Sequence, residues 1–133
     1  MSLIELAFKL NAHITDEDTR FDAMLSETGV LEVVCSNNEE FPINIVKTDT
    51  QLLAITPLFN VNEVRADKLN ELNEELLFIS PAIPLSSVGR QGESYILFGS
   101  MALDTLFENI VHELEVQAEN TVDVLQVIEP LLV

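Results

Sequence analysis

Glu108, His112 and Glu115 stand four and three residues apart, a spacing that puts all three side chains on one side of a helix and could in principle hold zinc. A zinc site needs further His or Cys ligands, and the chain offers one other histidine, His13, and one cysteine, Cys35. With no HExxH arrangement and no cysteine pair, His112 is read as a part-exposed helical residue and no metal is assigned. Asp16, Asp18 and Glu27 match the first, third and twelfth positions of a calcium loop. The sixth position, where glycine makes the turn, is Phe21, and the fifth is Arg20, so the match fails where the geometry is most demanding. Cys35 follows Val33 and Val34 with no cationic neighbour in sequence to lower its pKa, which predicts an inert buried thiol. The four glycines at 29, 89, 92 and 99 form no phosphate-cradling GxxxxGK or GxGxxG, and there is no GxSxG elbow. No catalytic residue and no cofactor are therefore assigned.

The carboxylates carry a different signal. Arg90 is the last basic residue, and the 43 positions after it hold eight carboxylates. Glu108, Glu115, Glu119 and Asp123 recur near multiples of a helical turn, so they form one acidic strip if that stretch is helical. Like charges four apart on an exposed helix cost roughly 0.2–0.5 kcal/mol each, which packing easily overrides. Such a strip serves solubility, or it receives a Lys- and Arg-rich helix with fast, salt-dependent association. Reversing all four to Lys is expected to remove partner binding and leave stability near wild type.

The elements that must position these groups follow from hydrophobic spacing. Leu3, Leu6, Ala7, Leu10 and Ile14 predict a first helix ending between 13 and 16. Runs of β-branched and aromatic residues predict strands near 30–35, 41–47 and 51–59, with a weaker one near 20–25, broken by Gly29, the polar patch 36–40 and Thr48-Asp49-Thr50. Their short connections require antiparallel neighbours. Asn62 is the expected cap of a second helix that stops before Pro81. Residues 85–90 and 94–101 predict a hairpin around Gln91-Gly92-Glu93, and Asp104 is the expected cap of a final helix closed by Pro130. Phe107, Ile110, Leu114, Thr121, Leu125, Ile128 and Leu132 form its apolar stripe, with Gln117 or Ala118 filling the middle. That stripe must be covered by the chain's own sheet, by another chain or by both. The fold class is α+β, an antiparallel sheet flanked by helices in the order α-βββ-α-ββ-α, in a single domain over residues 1–133 with one core.

Composition narrows the function. A 47% apolar chain is globular, so its formal charge of −17 decorates a folded body. The 23 carboxylates, against six scattered basic residues, repel phosphate, which argues against nucleic acid and against an anionic membrane surface. Without a positive leader, or an apolar run near the roughly 18 residues a span needs, the expectation is a cytoplasmic protein not inserted in a membrane.

Pro84-Leu85-Ser86-Ser87-Val88-Gly89, then Tyr95-Ile96-Leu97-Phe98-Gly99-Ser100-Met101-Ala102-Leu103 and Leu106-Phe107-Glu108-Asn109-Ile110-Val111-His112-Glu113-Leu114-Glu115, resemble the YjfI family of bacterial proteins. The resemblance is tight over 81–130 and looser over 1–80. It implies no established activity; it implies association with PspA-like coiled-coil membrane-stress proteins. The element order also resembles the type III secretion chaperone-like fold, whose members are small, acidic, often dimeric and bind proteins. Gly99 is expected to permit a close backbone approach, and Ser86 and Ser87 to satisfy local polar groups.

Together these readings predict a homodimeric, protein-binding adaptor or chaperone-like module that takes a basic or amphipathic helix, for instance from a PspA-like protein, through Glu108, Glu115, Glu119 and Asp123. The alternatives are a small enzyme using a carboxylate in an α+β cleft, or an obligate structural subunit of a larger assembly.

Overall fold

The computed structural model describes all residues from Met1 to Val133. Helix α1 (Leu3–Asn11) opens on Ser2, whose hydroxyl accepts the Glu5 N–H at 3.1 Å, and buries Leu6 and Leu10. It stops at Asn11, short of the expected 13–16, because Ile14 leaves the helical pattern to bridge Arg20. Four strands follow, β1 (Phe21–Leu25), β2 (Leu31–Cys35), β3 (Asn38–Lys47) and β4 (Gln51–Asn60). The weak signal near 20–25 is thus a full strand, with Phe21 and Ala23 buried and Asp22 and Met24 exposed, the period-2 alternation of a half-covered sheet. The polar patch 36–40 is not all loop: the turn takes Ser36 and Asn37, and Asn38 already pairs with Cys35.

Helix α2 (Leu69–Ile79) starts later than expected. Asn62 does not cap it, because Val61–Glu63 forms a separate 3₁₀ turn in which the Glu63 carboxylate accepts the Asn60 N–H at 2.8 Å. Val64 is then drawn into a buried bridge with Leu132. The hairpin β5 (Ser87–Gln91) and β6 (Ser94–Ala102) forms where expected. Helix α3 (Phe107–Ile128) opens on Leu106, and Asp104 is left in the preceding turn. There Thr105 directs both its N–H and its hydroxyl to the Ala102 carbonyl, at 3.1 and 2.6 Å, closing the turn before the helix begins.

The six strands form one antiparallel sheet in the order β1-β2-β3-β4-β6-β5. α1 packs on β1, α3 crosses β2, β3, β4 and β6, and α2 lies beside α3. All three use the same face, so the apolar stripe of α3 is covered by its own sheet: Ile110, Leu114, Ala118 and Ile128 are buried. The covered side holds two apolar clusters instead of the single expected core. One gathers α1, β1–β3 and the first half of α3; the other gathers α2 and the end of α3; β4 and β6 contribute to both. Between them lies a buried polar layer of Thr56, Gln117, Asn120 and Thr121.

Candidate functional site

Helix α3 presents Glu108, Glu119 and Asp123 to solvent on one side, with Glu115 part-buried among them. From Glu108 to Asp123 the strip runs about 22 Å at 1.5 Å per residue. No cation in the chain neutralises it. The two ion pairs, Lys68 with Glu71 at 3.8 Å and Arg90 with Glu93 at 3.9 Å, lie elsewhere, and Lys9 sits over the Phe107 ring. Three of the four expected residues are therefore exposed and without an ion-pair partner. Glu115 is the exception, since its carboxylate accepts the Thr15 hydroxyl at 2.8 Å. Its carbonyl also accepts the Asn37 amide at 3.1 Å, and the Ala118 carbonyl accepts the Asn38 amide at 3.2 Å, which anchors the β2–β3 turn against α3.

The strip runs from one depression to another. At its start, Glu108, His112 and Glu115 line a cleft of about 380 Å³ with His13, Asp16 and Glu17. Both histidines of the chain meet here. His13 packs edge-on to Phe107 at 5.3 Å between ring centroids, which accounts for it as a packing residue, and no group of His, Cys, Asp and Glu there is arranged to hold a metal ion. Asp16 and Asp18 belong to a turn organised by Thr15, whose hydroxyl accepts the Glu17 and Thr19 N–H groups at 3.3 and 3.0 Å. Glu27 sits in a different turn, between β1 and β2. At the far end, Asp123 borders an apolar notch of about 160 Å³ lined by Ile79, Ile83, Pro84 and Val127. Val122 and Val127, 40% and 45% exposed, add apolar surface beside the acidic groups.

Two titratable groups are shifted by burial. Burial, with the Glu115 charge adding to it, pushes the Cys35 thiol up to about 12, so it stays protonated and non-nucleophilic at neutral pH. Partial burial raises Glu113, with His112 opposing the shift, yet Glu113 lines neither the acidic cleft nor the apolar notch.

Sequence reasoning missed the polar layer. The Gln117 amide donates to the Ala54 carbonyl at 3.1 Å and to the Thr56 hydroxyl at 2.9 Å. The Asn120 amide donates to the Pro84 carbonyl at 2.7 Å and the Ser86 hydroxyl at 3.2 Å. The available signal was three polar residues, 117, 120 and 121, at helical spacing inside an apolar stripe. Gly99 completes the layer: a Cβ there would lie 3.0 Å from the Leu85 carbonyl oxygen and 3.3 Å from Gln117 Oε1. The 84–89 and 95–101 segments, which carry the resemblance in sequence, are thus held together by backbone approach and buried amides.

The family model described as "Uncharacterized protein conserved in bacteria (DUF2170)" matches residues 2–132. The chain belongs to this family. It is also similar to the uncharacterized protein YjfI of Escherichia coli strain K12 and of strain O157:H7, at 29% identity over 119 residues in each, covering 86% of this chain and 87% of the relative. The family model takes in residues 2–80 as well as the second half, where the sequence resemblance was tight. No helix is long and apolar enough to cross a membrane.

Proposed function

We propose that this DUF2170 protein is a cytoplasmic binding module, adaptor or chaperone-like in its action, that receives a basic, amphipathic helix of a protein partner along α3. The observation that carries this reading is the row of Glu108, Glu119 and Asp123, which no Lys or Arg of the chain neutralises. The acidic cleft at one end suits a Lys or Arg side chain, and the apolar notch with Val122 and Val127 suits the apolar edge of such a helix. Electrostatic complementarity of this kind sets on-rate and specificity, and is screened by salt. The resemblance to the YjfI family suggests a PspA-like coiled-coil protein as partner, and the element order suggests the secretion-chaperone-like class.

The test is titration of purified full-length PspA-like protein into the chain by calorimetry, at about 50 and about 300 mM salt. Binding should weaken by about tenfold or more across that range. It should vanish in the triple variant Glu108→Lys, Glu119→Lys, Asp123→Lys, whose melting temperature should stay near wild type. Glu115 is left intact because reversing it would also break the Thr15 bond. Equal binding by both versions would sink the strip as the contact surface.

A further inference from the structure

We propose that two copies of this chain pack face to face through the side of the sheet that carries no helix, centred on β4, β6 and β5. All three helices lie on the opposite face. The side without helices carries half-buried Val46 from β3, half-buried Leu53 and Ile55 and exposed Pro57 from β4, and half-buried Phe98 from β6 over a buried Ile96, brought side by side by the registers Val46↔Leu53, Ile55↔Phe98 and Pro57↔Ile96. Phe98 lies against Gly89 of β5, where a Cβ would come within 3.0 Å of the ring, so the surface stays flat out to the last strand.

Its chemistry points to a second copy as occupant. In a chain with 23 carboxylates and six basic residues, the outward positions of β4, β6 and β5 carry no carboxylate, and the half-exposed Arg90 of β5 borders the groove of Leu53, Ile55, Ile96 and Phe98; the outward Asp22 and Glu32 sit on β1 and β2. A basic helix would find nothing there to recognise, and an anionic lipid surface would be repelled by a net charge of −17. Two such acidic molecules can meet closely only where neither presents a carboxylate. Each sheet edge is also occupied at its middle, which hinders the other common mode of self-association, strand addition. On β1, the Asn11 side chain takes both backbone groups of Ala23, donating to its carbonyl at 3.0 Å and accepting its N–H at 2.7 Å. On β5, the Ser80 hydroxyl accepts the Val88 N–H at 3.2 Å. Strands β3, β4, β6 and β5, with 10, 10, 9 and 5 residues, span roughly 540 Å² in projection at about 3.3 Å per residue and about 4.8 Å per strand, just under the ~600–1,000 Å² per partner of a specific interface. Face-to-face packing about 10 Å apart makes a two-sheet sandwich whose acidic α3 helices point outward on opposite sides.

The test is sedimentation velocity of the full chain at about 100 µM, in about 50 and about 500 mM salt. The expected mass is twice the 14.8 kDa of one chain, with association at least about threefold tighter at high salt, because salt screens the repulsion between two acidic bodies. Partner binding through α3 has the opposite salt dependence, so the two readings fail separately. Ser100→Glu and Ser87→Glu place carboxylates at exposed positions beside Leu53 and Phe98. Each should weaken the dimer by about tenfold or more, with circular dichroism and melting unchanged. A wild-type chain that stays at 14.8 kDa in both salts overturns the proposal. So does a dimer that neither substitution weakens.

Discussion

Gly99 is the residue on which the second half of the chain converges. The atom nearest to a Cβ there, the Leu85 carbonyl oxygen, is backbone. Leu85 itself holds a left-handed φ of 62°, a conformation that costs a residue with a Cβ roughly 1–2 kcal/mol. Asn120, grasping the Pro84 carbonyl and the Ser86 hydroxyl on either side, keeps it there. Neither neighbour of Gly99 can retreat without breaking a buried hydrogen bond. Gly99→Ala should therefore lower unfolding free energy by about 1–3 kcal/mol in urea titration at an unchanged slope. A loss below about 0.5 kcal/mol would show that the 84–86 segment is free to move. The glycine and Ser86 were visible in sequence as candidates for structural duty. Gln117 was read only as one way to fill the middle of the apolar stripe, because its amide becomes informative only once Thr56 and Ala54 are seen opposite it.

At the scale of elements, strands were easier to place than helix starts. Runs of β-branched and aromatic residues are a property of the sequence itself, so all six strands fall at or near the expected runs, although β3 begins at Asn38, inside the polar patch expected to be a break. A cap depends on which of several polar residues the chain can aim at the first turn. Asn62 lost that position when Val64 was drawn to Leu132, and Asp104 lost it when Thr105 closed its own turn. The end of α1 shows the same dependence. Asn11 reads as a terminal polar residue, yet it acts as a surrogate strand that occupies the β1 edge. Asn11→Ala should cost about 1–3 kcal/mol by leaving two backbone groups of Ala23 without their partner. It should also raise light scattering during incubation at moderate temperature, since an opened edge templates aggregation. A variant that loses stability without aggregating faster would limit Asn11 to local bonding.

For the whole molecule, charge and packing act on different surfaces. A net charge of −17 is spread over a body with two exposed ion pairs, so salt screens far more repulsion than attraction. The melting temperature should rise by about 2–8 °C between about 20 and about 200 mM salt. A fall would mean that the few attractive pairs outweigh the global repulsion. Exposed Phe8 and Phe78, at 78% and 82%, lie on α1 and α2 and play no part in the two apolar clusters. Apolar area remains on the helical face as well as on the free side of the sheet.

The sequence by itself determined the α+β class, the antiparallel pairing and the acidic row on the last helix, because each depends on local spacing or on residue counts that no packing can alter. Only the tertiary structure decided that Glu115 is tied to Thr15 while Glu108, Glu119 and Asp123 are exposed. It also decided that a polar layer divides the core, and that one side of the sheet stays bare. Those outcomes depend on which distant segments meet, as with Thr15 and Glu115, 100 residues apart, and no periodicity within a single element records such a meeting.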